Sequence, residues 1–168
     1  MTAAPGRILL VFLDGVGIGE ADARTNPLVR ARLPVIRSLL GGRAPVAGEM
    51  TSGSVGEHGP ASWTAVDATL GVAGRPQSGT GQTARLTGEN APRHFGRHFG
   101  PWVPTGLREL LARRNLLTRA REGGRSATFA NAYPAGYFES GRADRRPAAP
   151  PLAAHAAGVL ERHEDALR

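Results

Sequence analysis

The chain has 168 residues, a formal net charge of +7 and no cysteine. That length fits about one domain with its own core, whereas the absence of cysteine excludes disulfides, thiolate nucleophiles and cysteine-bound zinc. Any metal ion must therefore be held by carboxylate, imidazole, hydroxyl or backbone oxygen atoms.

The positive charge is carried by arginine alone, because the sequence contains no lysine. Its arginines are scattered, with short clusters such as Arg113-Arg114 and Arg145-Arg146. A strongly basic chain can bind nucleic acid, but arginine in place of lysine, with abundant alanine and glycine, is typical of a GC-rich genome. We therefore do not expect a nucleic-acid partner. The arginines could instead hold an anionic substrate, since a guanidinium binds phosphate bidentately.

Residues 7–13 form a continuous apolar run that ends in Asp14-Gly15. The length of this run and its aliphatic and aromatic content are typical of a buried parallel strand. Ligands bind at the C-terminal ends of such strands, which is where Asp14 lies. The run is too short to span a membrane and does not resemble a secretory signal. We therefore predict a soluble, cytoplasmic protein without a membrane partner.

Helix patterns and strand patterns alternate along the rest of the chain. In chain order they are a helix at 27–40 interrupted by Pro34, a strand at 63–70, a helix opening at 80–86, a helix at 105–117 with Thr105 as N-cap, a strand at 126–132 and a helix at 151–167. This alternation predicts an α/β fold, namely a three-layer α/β/α sandwich with a mostly parallel sheet. The last helical pattern reaches the end of the chain without a cap, which indicates that the sandwich is incomplete.

The first segment that could carry chemistry is DGVGIGE at residues 14–20. Its three glycines allow sharp bends and a close approach of the backbone to a ligand. A dinucleotide-binding turn requires G-x-G-x-x-G, and Glu20 breaks that spacing. An acid before the first glycine would repel a pyrophosphate and suits a hard metal ion better. On spacing alone, Asp14 either binds a metal ion or caps the following turn.

The second segment is GRPQSGTGQT at residues 74–83. Gly74 and Gly79 have the separation found in a P-loop, but Thr80 stands where that loop needs lysine, so a P-loop is excluded. A hydroxyl residue then remains on a glycine-rich turn at a predicted helix start, where N–H groups and the helix dipole favour anions. Ser78 is either a nucleophile activated by a metal ion or a base, or a plain N-cap without chemistry.

Together these two segments resemble the alkaline-phosphatase superfamily, in particular the branch of cofactor-independent phosphoglycerate mutase and phosphopentomutase. Those enzymes open with an apolar strand ending in Asp-Gly and carry a Ser or Thr nucleophile in a glycine-containing motif at a helix N-terminus. The likeness is strongest to metalloenzymes with a Pro-Gln-Ser-x-Thr-Gly-Gln-Thr motif, which residues 76–83 match. It extends over nearly the whole chain, including FGPWVP at 99–104 and FANAYP at 129–134.

The resemblance implies a metal-dependent phosphoryl-transfer enzyme, a phosphomutase or a phosphatase, that acts on a phosphorylated small molecule through a phosphoserine. By this likeness Asp14 binds one of two divalent ions (Mn, Zn or Mg). Ser78 is the nucleophile and bridges to the same ion, with Thr80 as the alternative nucleophile. The neighbouring Gly79, Gly81 and Gln82 are expected to bind substrate, although the mutases have His where this chain has Gln82.

The family's remaining metal ligands are Asp and His residues of a C-terminal half, including an Asp-His pair that this sequence lacks. We therefore expect residues 1–168 to be the N-terminal portion of such a domain, with at most one partial metal site. The alternative is a non-catalytic truncated product, or a binding module that needs a partner chain for the missing ligands.

His94 and His98 have the spacing of a metal-binding pair on a helix. Their neighbours Arg93 and Arg97 would repel a cation. The segment RHFGRHFGPWVP at 93–104 is therefore better explained as a loop that contacts substrate or packs on Trp102 at the surface.

Overall fold

In the computed structural model of the protein, residues 6–133, 135–139, 145–159 and 162–163 are described. The chain divides into two compact units, Met1–Asp67 and Ala68–Arg168. The predicted three-layer α/β/α sandwich is wrong. In the described residues the regular structure is mostly helical, and the strands form one antiparallel hairpin and one parallel pairing of two residues.

The first unit contains two short helices, α1 (Pro27–Arg30) and α2 (Pro34–Leu39), each with proline in its first turn. Proline suits this position because its missing N–H would have no partner there. Asn26 caps α1: its side chain accepts a hydrogen bond from the Leu28 N–H at 3.0 Å and donates one to the Glu20 carbonyl at 2.9 Å. The predicted interruption of this helical region at Pro34 is confirmed.

The hairpin of the first unit joins β1 (Val55–His58) to β2 (Ala61–Thr64). Gly56 pairs with Trp63 in the antiparallel register, and a Cβ atom on Gly56 would overlap the indole ring. The close packing of the indole on the strand therefore requires glycine at position 56. Of the strand predicted at 63–70, only Trp63 and Thr64 belong to a strand, because β2 ends at Thr64.

The predicted central strand at residues 7–13 does not belong to a sheet. These residues lie outside helices and strands, and all of them are exposed. A parallel strand is stable where neighbouring strands pair its backbone groups and packed layers cover both of its faces. Within the described part of the chain, no strand pairs with this run, so its composition alone does not make it a core strand.

The second unit is mainly helical. Its helices are α3 (Ser78–Thr87), α4 (Ala91–Phe95), α5 (Thr105–Arg114), α6 (Leu116–Glu122), α7 (Ala135–Glu139) and α8 (Ala149–Ala156). The strand predicted at 126–132 is reduced to β3 (Ala132–Tyr133), which pairs in parallel with β4 (Arg162–His163) over two residues. A pairing of this length cannot form a layer of a sandwich.

Helices α3, α4, α5 and α8 pack around one apolar core. Leu107 and Leu111 of α5 are buried, four residues apart on one face, as the predicted amphipathic pattern requires. Ala149 and Ala153 of α8 are also buried four residues apart, and their small side chains allow close helix packing. The N-cap of α5 is Pro104, so the predicted cap at Thr105 is wrong by one residue.

Asn115 separates α5 from α6 inside the helix predicted at 105–117. The side chain is fully buried, accepts hydrogen bonds from the N–H groups of Leu117 and Thr118 at 3.0 Å, and donates one to the Leu111 carbonyl at 2.9 Å. One amide thus terminates α5 and caps α6.

The helix predicted at 151–167 is α8, which begins earlier and ends at Ala156. Residues 160–161 and 164–167 of that prediction lie outside the described residues. Among the helices of the described residues, none is long and apolar enough to cross a membrane.

Candidate functional site

Ser78 is the first residue of the ten-residue helix α3. It follows Gln77, whose backbone is extended (φ −130°, ψ 147°) and whose side chain makes no capping hydrogen bond. The prediction that this motif opens a helix is confirmed, with the start two residues before Thr80. Ser78 is half-buried. The hydroxyl residue therefore stands in the first turn, where the dipole and the N–H groups of a helix favour negative charge.

The first turn of α3 is fixed by two hydrogen bonds to one residue of the 96–102 loop. The Thr80 N–H donates to the Phe99 carbonyl at 2.9 Å, and the Phe99 N–H donates to the Thr80 Oγ1 at 3.1 Å. Thr80 is 0 % exposed. Its hydroxyl is therefore engaged with the backbone and closed to a substrate in this structure.

Two glycines allow the 96–102 loop to lie directly on the helix start. A Cβ atom on Gly79 would lie 2.7 Å from the Phe99 carbonyl oxygen and would overlap that of Trp102. A Cβ atom on Gly100 would lie 3.0 Å from the Ser78 nitrogen and 3.1 Å from the Gly79 nitrogen. Any side chain at position 79, and a rigid one at position 100, would push the loop away from Ser78.

The same loop and Phe95, the last residue of α4, carry an aromatic cluster. The Phe95 and Phe99 rings meet edge to face at 5.4 Å between centroids, and Phe99 meets Trp102 in the same way at 5.6 Å. The Arg146 guanidinium lies 4.6 Å from the centre of the Trp102 ring. Edge-to-face rings and a stacked guanidinium are favourable arrangements, so these contacts stabilise the conformation of the loop and place the Arg146 guanidinium on it. The sequence-based expectation that this loop packs on Trp102 agrees with these contacts.

The segment that leads into Ser78 is anchored from the other side. The His98 Nε2 lies 3.1 Å from the Val72 carbonyl, to which it donates, and the Asn90 side chain donates to the Leu70 carbonyl at 2.9 Å. His94, which has the sequence spacing of a metal-binding pair with His98, lies 3.6 Å from the Glu89 carboxylate. The two imidazoles thus have different partners.

Gly81 and Gln82, predicted to bind substrate, lie in the first two turns of α3 and are half-buried. A Cβ atom on Gly81 would meet nothing within 4 Å, so this glycine borders open space, unlike Gly79. The two glycines of the motif therefore have different surroundings: Gly79 packs against the backbone of the loop, and Gly81 has free space where a side chain would lie.

Sequence reasoning missed part of this site. Phe99 and Gly100, which hold the helix start, are distant in sequence, and no spacing rule connects them to Ser78. A local signal was present for the buried hydroxyls of α3: Thr83 donates to the Gly79 carbonyl at 2.6 Å and Thr87 to the Thr83 carbonyl at 2.8 Å. Buried threonines at helical spacing satisfy their hydroxyls in this way, one turn back.

Asp14 belongs to the first unit, whereas Ser78 belongs to the second. Asp14 is exposed, and its Oδ1 accepts a hydrogen bond from the Gly15 N–H at 3.1 Å. Gly15 has φ +73°, the left-handed conformation that favours glycine in a turn. This geometry is what the turn-capping alternative predicts, and the role of Asp14 as a metal ligand stays a prediction.

Within the described residues, no group of three or more His, Asp or Glu side chains could hold a metal ion. Two ions about 4 Å apart need ligands for both. The described residues therefore do not fit the complete centre that the resemblance implies.

A perturbed ionic pair lies in the first unit, outside the candidate site. Arg24 donates to the Asp22 carboxylate through its side chain and its backbone N–H, and these bonds hold the pKa of Asp22 below its ordinary value of 3.8. The same pair raises the pKa of Arg24. Because both groups face solvent, the pair acts locally.

No protein-family model, curated protein or solved structure matches the chain. The likeness to the alkaline-phosphatase superfamily therefore depends on the sequence motifs of this chain, chiefly those at residues 14–20 and 76–83. The motif at residues 76–83 contains the start of α3, which the loop contacts hold in place, whereas the motif at residues 14–20 begins in an exposed turn.

Proposed function

We propose that the protein is a metal-dependent phosphoryl-transfer enzyme, of the phosphomutase or phosphatase type, with Ser78 as its nucleophile. The observation that supports it most is the place of Ser78 in the first turn of α3, which the double hydrogen bond between Thr80 and Phe99 fixes. A nucleophile held in one position loses less freedom when it reaches reactive geometry. The helix start also favours the negative charge of a phosphate.

In this proposal the Ser78 Oγ attacks the phosphorus of a phosphate monoester of a small molecule. The new O–P bond forms as the bond from phosphorus to the ester oxygen breaks. The serine proton passes to solvent, and the leaving alcohol takes a proton from solvent. Water then attacks the phosphoserine to complete hydrolysis, or a second hydroxyl of the same substrate attacks it to complete an intramolecular shift.

The neighbouring residues have supporting roles in this scheme. Thr80 is buried and bonded to the backbone, so the proposal assigns the nucleophile role to Ser78 alone and treats Thr80 as a positioning residue. Arg146 brings a guanidinium to the loop that packs on α3, and guanidinium groups bind phosphate bidentately.

Asp14 and Ser78 are the ligands that we predict for a first divalent ion, and the described residues do not complete a centre for two. The steps above accordingly use only the chain's own groups. A cytoplasmic location belongs to the same proposal, and the lack of cysteine is compatible with it.

The test is turnover of p-nitrophenyl phosphate with Mn²⁺, Zn²⁺ or Mg²⁺, together with mass-spectrometric detection of phosphate on Ser78. The full chain is compared with Ser78→Ala and with Ser126→Ala, which removes an exposed serine hydroxyl from the same unit. We expect Ser78→Ala to lose at least about 1000-fold in kcat, and Ser126→Ala to retain wild-type turnover and phosphoserine.

Urea unfolding of both variants shows whether the fold is intact, so that a loss of activity can be assigned to chemistry. Turnover that is unchanged in Ser78→Ala would remove the nucleophile assignment. If the wild-type chain shows neither turnover nor phosphoserine with any of the three ions, the enzyme proposal fails and the binding-module alternative is favoured.

A further inference from the structure

Six consecutive apolar side chains of the first unit are in contact with water. Their exposed fractions are 96 % for Ile8, 86 % for Leu9, 54 % for Leu10, 69 % for Val11, 38 % for Phe12 and 55 % for Leu13. Single exposed apolar residues are ordinary on protein surfaces, but a continuous run of this kind marks an interaction site.

The backbone of this run is also available for pairing. Within the described part of the chain, the N–H and C=O groups of residues 8–11 make no hydrogen bonds. The run contains no proline and no charge, and it consists of β-branched, aromatic and leucine side chains. Segments with this composition and an open backbone form intermolecular strand pairs.

We propose that residues 8–13 form an antiparallel strand pair with the same residues of a second copy of this chain. A second copy supplies backbone partners and apolar side chains in equal number, as a two-fold interface requires. The charges at the two ends of the run set its orientation. Antiparallel pairing places the Arg7 end of one copy beside the Asp14 end of the other, whereas parallel pairing would place like charges together.

The area of the run fits a weak, specific dimer. Burying one aliphatic or aromatic side chain removes on the order of 100 Å² from water. Allowing for the parts already covered, six such residues offer roughly 500 Å² per copy, near the lower end of specific interfaces. A small interface of this kind is typical of weak complexes, so we expect dimerisation to depend on protein concentration. The pairing involves Asp14 only through its charge at the end of the run and does not involve Ser78, so Val11→Lys and Ser78→Ala test the two proposals independently.

The first experiment is sedimentation velocity on the full chain over a range of micromolar concentrations. Val11→Lys is compared with Val66→Lys, because Val11 and Val66 are 69 % and 73 % exposed, belong to the same unit and lie outside helices and strands. A lysine in the strand should block pairing. We expect the wild type and Val66→Lys to dimerise alike and Val11→Lys to associate at least about tenfold more weakly.

The second experiment uses the absence of cysteine from the chain. In a two-fold antiparallel pair, only residues near the centre of the run face their own copies. Leu10→Cys or Val11→Cys should then form an intermolecular disulfide on mild oxidation, while Ile8→Cys, Leu13→Cys and the control Val66→Cys should not.

Several outcomes would overturn the proposal. They are a monomer throughout the concentration range, association that Val11→Lys leaves unchanged, and disulfides that form equally well along the run, which would indicate a parallel arrangement. Open-ended aggregates in place of a dimer would also contradict it, because a two-fold pair closes.

Discussion

Two hydrogen bonds join Thr80 to Phe99: the Thr80 N–H donates to the Phe99 carbonyl at 2.9 Å, and the Thr80 Oγ1 accepts from the Phe99 N–H at 3.1 Å. The pair joins the start of α3 to a loop nineteen residues further along the chain. Because one helix N–H is satisfied by this loop, the first turn is held without a side-chain cap from Gln77. Ser78 is positioned as a consequence.

Thr80→Val should weaken this link while preserving the shape of the side chain. The Phe99 N–H would lose its acceptor, which costs about 1–3 kcal/mol when the group is shielded from water. Urea unfolding measures the change, with Thr105→Val as the control because Thr105 is exposed in the same unit. The control should stay within about 0.5 kcal/mol of wild type. Equal stability of Thr80→Val and wild type would show that the hydroxyl does not hold the loop.

The two motif glycines should respond to alanine in opposite directions. Gly79→Ala places a Cβ atom against the carbonyl oxygens of Phe99 and Trp102, which are backbone atoms and cannot rotate away. Overpacking of this kind costs about 1–3 kcal/mol. Gly81→Ala meets nothing within 4 Å and lies in the same helix, so it should stabilise by about 0.5–1 kcal/mol. A shift of the urea midpoint in the same direction for both variants would contradict the close packing of the loop carbonyls on Gly79.

The helix starts were predictable from sequence because capping is local. Asn26-Pro27, Pro34 and the glycine-rich turn before Ser78 each carry their signal within a few residues of the boundary. The sheet was not predictable in the same way. Composition assigned residues 7–13 to a buried strand, but burial depends on distant segments that must pair with it. The described residues provide none, and the run stays exposed.

The same distinction applies to the candidate site. The position of Ser78 at a helix start follows from its own neighbours, and the structure agrees with it. The contacts that fix this start come from Phe99, Gly100 and Trp102, and neither periodicity nor motif spacing links them to α3. Asp14 was paired with Ser78 by resemblance alone, and it lies in the other unit.

Asn115 provides a stability test of the junction between α5 and α6. Asn115→Ala removes both acceptor bonds that cap α6 and the donor bonds to the Leu111 and Ala112 carbonyls that close α5. It also removes a bond of 2.8 Å to the Thr118 hydroxyl in α6. We expect a loss of about 2–3 kcal/mol. Asn115→Asp should also destabilise, because a carboxylate oxygen would replace the donor that faces the Leu111 carbonyl. The exposed Asn131→Ala is the control, and a loss as large in that variant would contradict the assignment.

The acid titration of Asp22 tests the local pair with Arg24. Hydrogen bonds from Arg24 stabilise the charged carboxylate and keep the pKa of Asp22 below 3.8. Because the pKa is lower in the folded chain, the pair adds stability above pH 3.8, and this contribution is lost as pH falls through the lowered pKa. Arg24→Gln should return the pKa of Asp22 toward 3.8 in an NMR titration. Arg30→Gln removes an equal charge from a nearby exposed arginine and should leave the titration of Asp22 nearly unchanged. An equal rise in both variants would attribute the shift to the net charge of the unit rather than to the hydrogen bonds of Arg24.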